Sequence, residues 1–261
     1  MKDMDDYESR MLTLEQVLGA VGSAVRRQTL LSLVRFGHGE LFVAAHRRWP
    51  KLFDPGIDFL EYAGVTSHGL AEELAVLEAL RQADIVGLVQ RPRPFETPLT
   101  KKLLRREALY LPRVCDAWVT HAMIRSPEFY RLFAGWQLIV VGRRAKEGIP
   151  RLRQRGLSVV AALGLEGFDG VPGALEAIRN GPEFDVALVS AGVPATIVCP
   201  KIARETGKVA IDFGHALDLL IDGEAFDHER LTAAFNARHR QAQQGSGRTP
   251  RKGGRLWRNV T

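Results

Sequence analysis

Residues 184–224 read FDVALVSAGVPATIVCPKIARETGKVAIDFGHALDLLIDGE, and this stretch decides the fold. Val186 to Val189 is a short apolar run of the kind a buried parallel strand needs. Ser190-Ala191-Gly192 breaks it, and Pro194 falls where the first turn of a helix accepts proline. The helix runs to Thr206 and stops on Gly207, a natural C′ residue. A second strand, Lys208 to Asp212, ends at Phe213-Gly214-His215. Two successive parallel strands thus end in glycine-bearing turns on one carboxyl edge. Open α/β sheets bind ligands at that edge, where a helix N-terminus also attracts phosphate. Ser190, Asp212 and His215 are the polar groups these turns offer.

Working outward, the βα rhythm covers the chain. Thr13-x-x-Gln16 forms a capping box opening an amphipathic helix toward Leu30. Strands are predicted at 31–36, 84–89, 137–142, 158–163, 185–190 and 208–212, and helices at 41–48, 72–83, 103–109, 128–133, 146–155 and 174–180. Residues 50–69 and the proline-rich stretch 90–98 read as loops. Strands separated by single helices imply right-handed βαβ units. The expectation is an α/β fold: one Rossmann-like domain with a mostly parallel sheet over 28–240, an N-terminal helical segment over 1–27, and a disordered basic tail over 241–261.

Composition excludes several classes. The 261 residues suffice for a substantial core, and 46% hydrophobic with 25% charged is ordinary for a soluble protein. Cys115 and Cys199 lack CxxC spacing, so reduced core cysteines are expected rather than disulfides or structural zinc. The acidic start MKDMDDYESR is no signal peptide, and no apolar run reaches spanning length; a cytoplasmic protein is expected. Residues 231–261 hold seven basic side chains and no acidic one, so the net charge of +6 leaves −1 on the first 230 residues. The basicity belongs to the tail, which argues against specific nucleic-acid binding by the body.

A third glycine-rich segment carries the chemistry. In Ser32-Leu-Val-Arg-Phe-Gly-His-Gly-Glu40, Gly37 and Gly39 flank His38 just after a strand. A sharp bend there would let His38 and Glu40 converge on one ion, with Arg35 aimed at phosphate or supporting the loop. An imidazole with a carboxylate suits Mn²⁺ or Zn²⁺ better than Mg²⁺. Gly142-Arg143-Arg144 closes another strand, and one of its guanidiniums is expected to reach the same crevice as Gly192. His46, His68, His121, His228 and His239 have no partner at informative spacing and read as structural or surface residues. Ser190 lacks a G-x-S-x-G elbow, which removes the hydrolase reading.

Three blocks resemble one family. Ala187 to Cys199, Thr206 to His215 and the Ser32–Glu40 segment are similar, in that family's order, to the GT-D-fold glycosyltransferases, bacterial enzymes that use nucleotide sugars; with strand 137–142 the likeness covers most of 28–225. The third block resembles the family's S-x-x-R-F-G-D-G-E signature, with His38 in place of its Asp. The resemblance implies a hexosyltransferase that takes a nucleotide-sugar donor, a UDP-sugar first, and passes the sugar to an unidentified glycan, protein or small-molecule acceptor. It implies a divalent metal at His38 and Glu40, Mn²⁺ before Mg²⁺, held more weakly than by the family's acidic pair. Catalytic roles fall on Glu40 and His38. Donor-binding roles fall on Arg35, Gly37, Gly142, Arg143, Ser190, Gly192, Pro194, Asp212, Gly214 and His215. A second carboxylate is not located; Asp212, Asp54 and Asp58 are candidates. The competing reading is a Rossmann-like nucleotide- or S-adenosylmethionine-binding protein without glycosyl transfer, although the strand ending VVGRRAKEGIP lacks G-x-G-x-x-G.

Overall fold

Short β-branched runs alternate with amphipathic helices, and in the computed structural model they assemble into one eight-stranded sheet whose paired strands are all parallel. The structure describes residues 7–53, 59–89 and 96–227, with isolated positions at 230, 233 and 237. The tail expected at 241–261, and Asp54, Asp58, His228 and His239, lie outside the described residues. Among the described residues no helix is long and apolar enough to cross a membrane.

The strands are β1 (Met11–Leu12), β2 (Leu31–Phe36), β3 (Ile85–Leu88), β4 (Val114–Asp116), β5 (Gln137–Gly142), β6 (Ser158–Leu163), β7 (Val186–Ser190) and β8 (Val209–Asp212). Their spatial order is β1-β4-β3-β2-β8-β7-β5-β6. Six of them stand where the sequence places them, with ends within a residue or so. β1 and β4 were not expected. The segment 1–27, read as helical, therefore also contributes an edge strand, which registers Met11 with Val114.

The helices are α1 (Leu14–Arg27), α2 (His38–Ala45), α3 (Phe59–Tyr62), α4 (Leu70–Gln82), α5 (Glu96–Arg106), α6 (Val119–Arg125), α7 (Pro127–Phe133), α8 (Ala145–Gln154), α9 (Val171–Arg179), α10 (Val193–Thr206) and α11 (Ala216–Asp222). Strand alternation sorts them into two layers. On β2, Val34 and Phe36 join a core with α2, α4, α5, α9 and α10. Leu31 and Leu33 join the opposite core with α1, α6, α7, α8 and α11. α1 opens on the expected box: the Thr13 amide donates to Gln16 Oε1 at 2.9 Å and the Gln16 amide to Thr13 Oγ1 at 3.3 Å. α10 closes on Gly207 in the left-handed region.

The order also locates the site. From β2 the chain moves outward through β3 toward β4, whereas β8 and β7 lie on β2's other side. The crevice above the β2–β8 boundary is therefore a switch point, where loops diverge and leave room for a ligand.

Candidate functional site

A cavity of about 300 Å³ opens at this edge, within the size range of small-molecule sites. It gathers Arg35, Gly37, His38 and Glu40 from the end of β2, Arg143 from β5, Ser190 and Gly192 from β7, and Gly214 and His215 from β8. Three other expected residues do not line it. Pro194 is buried in the first turn of α10. Gly142 is pressed against the Ser190 carbonyl. Asp212 is wholly buried and acts on Arg35 instead of on a ligand.

Arg35 forms the floor, with Asp212 buried beneath it. Asp212 Oδ1 accepts from Arg35 Nε at 3.0 Å, and Oδ2 accepts from the Arg35 amide at 3.2 Å. The guanidinium occupies the space that a Cβ on Gly214 would fill, and Gly214 has φ +49. Burial raises the Asp212 carboxyl above the usual carboxylate range, with Arg35 opposing. Glu40 is raised by burial and then by Asp212, again against Arg35. Two carboxylates thus share one guanidinium in a nearly dry wall.

The bend expected around His38 is instead the first turn of α2. Gly37 is its N-cap, and the Gly37 amide donates to Glu40 Oε2 at 2.8 Å. His38 and Glu40 both border the cavity, but two residues apart on a helix their side chains leave the axis roughly 200° apart. Among the described residues no three His, Cys, Asp or Glu side chains are grouped to hold a metal ion. Two diverging side-chain donors leave most of a divalent ion's coordination to other ligands.

The α10 N-terminus also differs from its sequence reading. Its Val193 amide donates to Ala63 O at 2.8 Å, Pro194 has no N–H, and the Ala195 amide bonds back to Gly192 O at 2.9 Å. The Val193 amide thus docks the 62–64 segment, and the Ala195 amide is used within the turn. Ser190 Oγ likewise donates to Gly214 O at 2.7 Å, tying the β7 and β8 turns together. The cationic contribution comes from side chains. Arg143 lies 4.9 Å above the Tyr62 ring and 3.6 Å from Glu166. Arg144 points away, into Glu147, Asp218 and Asp222, and joins α8 to α11.

Sequence reasoning missed Tyr62, Ala63, Gly64, Trp118, Glu166 and Asp218, all of which line the cavity. Trp118 is a half-exposed indole at the rim, fixed by its amide bond to Asp116 Oδ1 at 2.9 Å. Behind it lies His121, whose Nε2 is buried without a hydrogen-bond partner. Burial, then the positive charge of Arg35, pushes the His121 imidazole down to about 4. Folding therefore holds it neutral, while the unfolded residue gains a proton near pH 6.5. Stability should fall as pH drops from about 6.5 to 4, by about 1–2 kcal/mol after allowance for solvent screening. Urea titrations at pH 7 and 4.5 should show His121→Gln losing less than the parent; equal losses would refute this.

His46 and His68 sit in an aromatic cluster, 5.2 Å apart and against Phe42. Cys115 and Cys199 are free and buried.

The family described as the GT-D fold-like domain matches residues 12–220. No curated protein matches the chain. One similar solved structure is described as the domain of unknown function 1792 with a distinct glycosyltransferase fold; it is 16% identical, covers 86% of each chain and superposes with a TM-score of 0.56. Another is described as a new glycosyltransferase from Streptococcus sanguinis; it is also 16% identical, covers 83% of this chain and 86% of that one, and has a TM-score of 0.56. Spanning both sheet halves and all three glycine-bearing segments, the family match places this chain in the GT-D fold-like domain family.

Proposed function

We propose that this protein transfers a sugar, of the hexosyl type, from a nucleoside diphosphate sugar to an acceptor hydroxyl, with a UDP-sugar the first donor to try. The carrying observation is the cavity at the switch point, where the Arg35–Glu40, Ser190–Gly192 and Gly214–His215 segments meet beside Arg143. The reaction breaks the bond between the sugar C1 and a phosphate oxygen and leaves charge on the diphosphate. Arg143, partly exposed and fixed over Tyr62, is the group placed to take that charge. A divalent ion accompanying the donor would be held mainly by its phosphate oxygens, with Glu40 or His38 as the side-chain ligand, and an imidazole there would favour Mn²⁺ over Mg²⁺; bound there, it would neutralise the leaving diphosphate. The Ala63–Gly64 backbone packs directly against the α10 turn at Ala191–Pro194.

Calorimetry with UDP, GDP, uridine, S-adenosylmethionine and NAD, each with Mn²⁺ or with EDTA, tests this reading. Nucleoside diphosphates should bind and uridine should not. Arg143→Ala should weaken UDP about ten-fold or more, the scale of one charged hydrogen bond, and leave the melting temperature nearly unchanged. Preferential binding of S-adenosylmethionine or NAD would replace this reading with that of a nucleotide-binding protein. Equal UDP binding and turnover in Mn²⁺ and EDTA would remove the metal from it.

A further inference from the structure

The cavity wall contains a histidine–carboxylate pair whose geometry goes beyond the donor-binding role given to His215. His215 Nδ1 lies 3.0 Å from Asp218 Oδ2, one turn along α11. The other oxygen, Asp218 Oδ1, accepts from Arg144 Nη1 at 2.9 Å, and Arg144 is itself held by Asp222 and Glu147. The imidazole is fixed on its faces as well. The Tyr62 ring stacks on it at 5.7 Å with 6° between planes, and the Phe226 ring lies at 6.0 Å. The His215 side chain remains 24% exposed and borders the cavity.

We infer that His215 is the general base that deprotonates the acceptor hydroxyl, that Asp218 is its positioning residue, and that transfer proceeds by a single displacement with inversion at the sugar C1. This rests on the transferase reading above. In the step, His215 Nε2 takes the proton as the acceptor oxygen forms its bond to C1. The C1–phosphate oxygen bond breaks, and the nucleoside diphosphate leaves with the electron pair, beside Arg143. Asp218 holds the proton on Nδ1, so that Nε2 is the nitrogen with a lone pair, and it stabilises the imidazolium that forms.

The carboxylates in the wall support this assignment, since each is already engaged. Glu40 caps Gly37, Asp218 bridges His215 and Arg144, and Glu166 pairs with Arg143. A covalent glycosyl intermediate on any of them would require that contact to break. Burial opposes the charge on Asp218, but His215 and Arg144 outweigh it and hold its carboxyl below the usual carboxylate range. It is ionised wherever a base is useful. Asp212 at the end of β8 and His121 on α6 also interact electrostatically with the imidazole. Tyr62 in α3 is kept a neutral phenol by burial and by Asp218.

The test uses the full chain and the hydrolysis of UDP-α-glucose, UDP-α-N-acetylglucosamine and GDP-α-mannose, water standing in for the acceptor. Nucleoside diphosphate release is followed between pH 5 and 9, and the anomer first released is read by proton NMR. His215→Gln should lower kcat about 10²-fold or more, leave UDP binding within a few-fold, and lose the acidic limb of the rate profile. Asp218→Asn should lower kcat by a smaller factor and move that limb to lower pH. Wild-type protein should release the β-anomer first. Wild-type turnover with His215→Gln unimpaired, or with the α-anomer first, overturns the base assignment and leaves the transferase reading standing. No wild-type turnover on any donor overturns both.

Discussion

Replacing Arg35 by methionine should cost about 3–5 kcal/mol, the scale seen when one partner is removed from a buried ion pair. Asp212 is wholly buried and draws two of its hydrogen bonds from Arg35. Methionine keeps the backbone donor and much of the volume but leaves the carboxylate without its counter-charge, beside a second carboxylate on Glu40. Protonation is the available relief. The Asp212 carboxyl, already raised, should rise further, so that below its new folded value the native state binds more protons than the unfolded chain. The deficit should consequently narrow as pH falls from 7 toward 5. Urea titrations of the single variant and of Arg35→Met with Asp212→Asn would read this directly. The double variant should recover most of the loss. A double variant as unstable as the single one would mean that Arg35 stabilises by packing alone.

The same pair shows what the sequence made legible. Strand ends followed by glycine are local signals, and Arg35, Gly192, Gly214 and His215 all stand at such ends. That Asp212 faces Arg35 and not the ligand is a matter of registry between β2 and β8, pairing residues 177 positions apart; no local pattern encodes it. β1 and β4, with two and three residues, are too short for any periodicity and exist because each finds a parallel neighbour. α2 was masked by its own glycines. Gly37 and Gly39 read as a turn, whereas Glu40 reaching back to Gly37 starts a helix there.

Other site residues divide in the same way. Asp218 had a readable signal, since His215 and Asp218 are three apart on a helix and so meet on one face. Tyr62 and Trp118 had none, because α3 is a single four-residue turn inside a loop-like stretch and Trp118 sits in the connection ahead of α6. Arg143 and Arg144 were one unresolved pair in the sequence. The strand end turns the first to the cavity and the second to the acidic residues of α11.

Gly192→Ala should be a strongly disruptive small substitution at the site. Gly192 has φ +65 and ψ −144, a region that costs an L-residue about 1–3 kcal/mol. A Cβ there would also come within 3.0 Å of the Ala63 carbonyl oxygen, a backbone atom with no rotamer to yield. Relief requires the 62–64 segment to lift from α10, breaking the 2.8 Å bond from the Val193 amide to Ala63 O. Tyr62 would leave with it, unstacking from His215 and from the Arg143 guanidinium. The expected total is about 3 kcal/mol or more, a fall in Tm on the order of 10 °C, with UDP binding weakened in parallel. Gly207→Ala is the matched control. It has φ +73 at the far end of α10 and nothing within 4 Å of a new Cβ, so it carries backbone strain without the collision. Calorimetric melts of the two variants, with and without UDP, separate the contributions. If Gly192→Ala melts no lower than Gly207→Ala and binds UDP as the parent does, the contact between residues 62–64 and α10 does not hold the site together, and the Tyr62–His215 stack would have to be maintained from the α11 side alone.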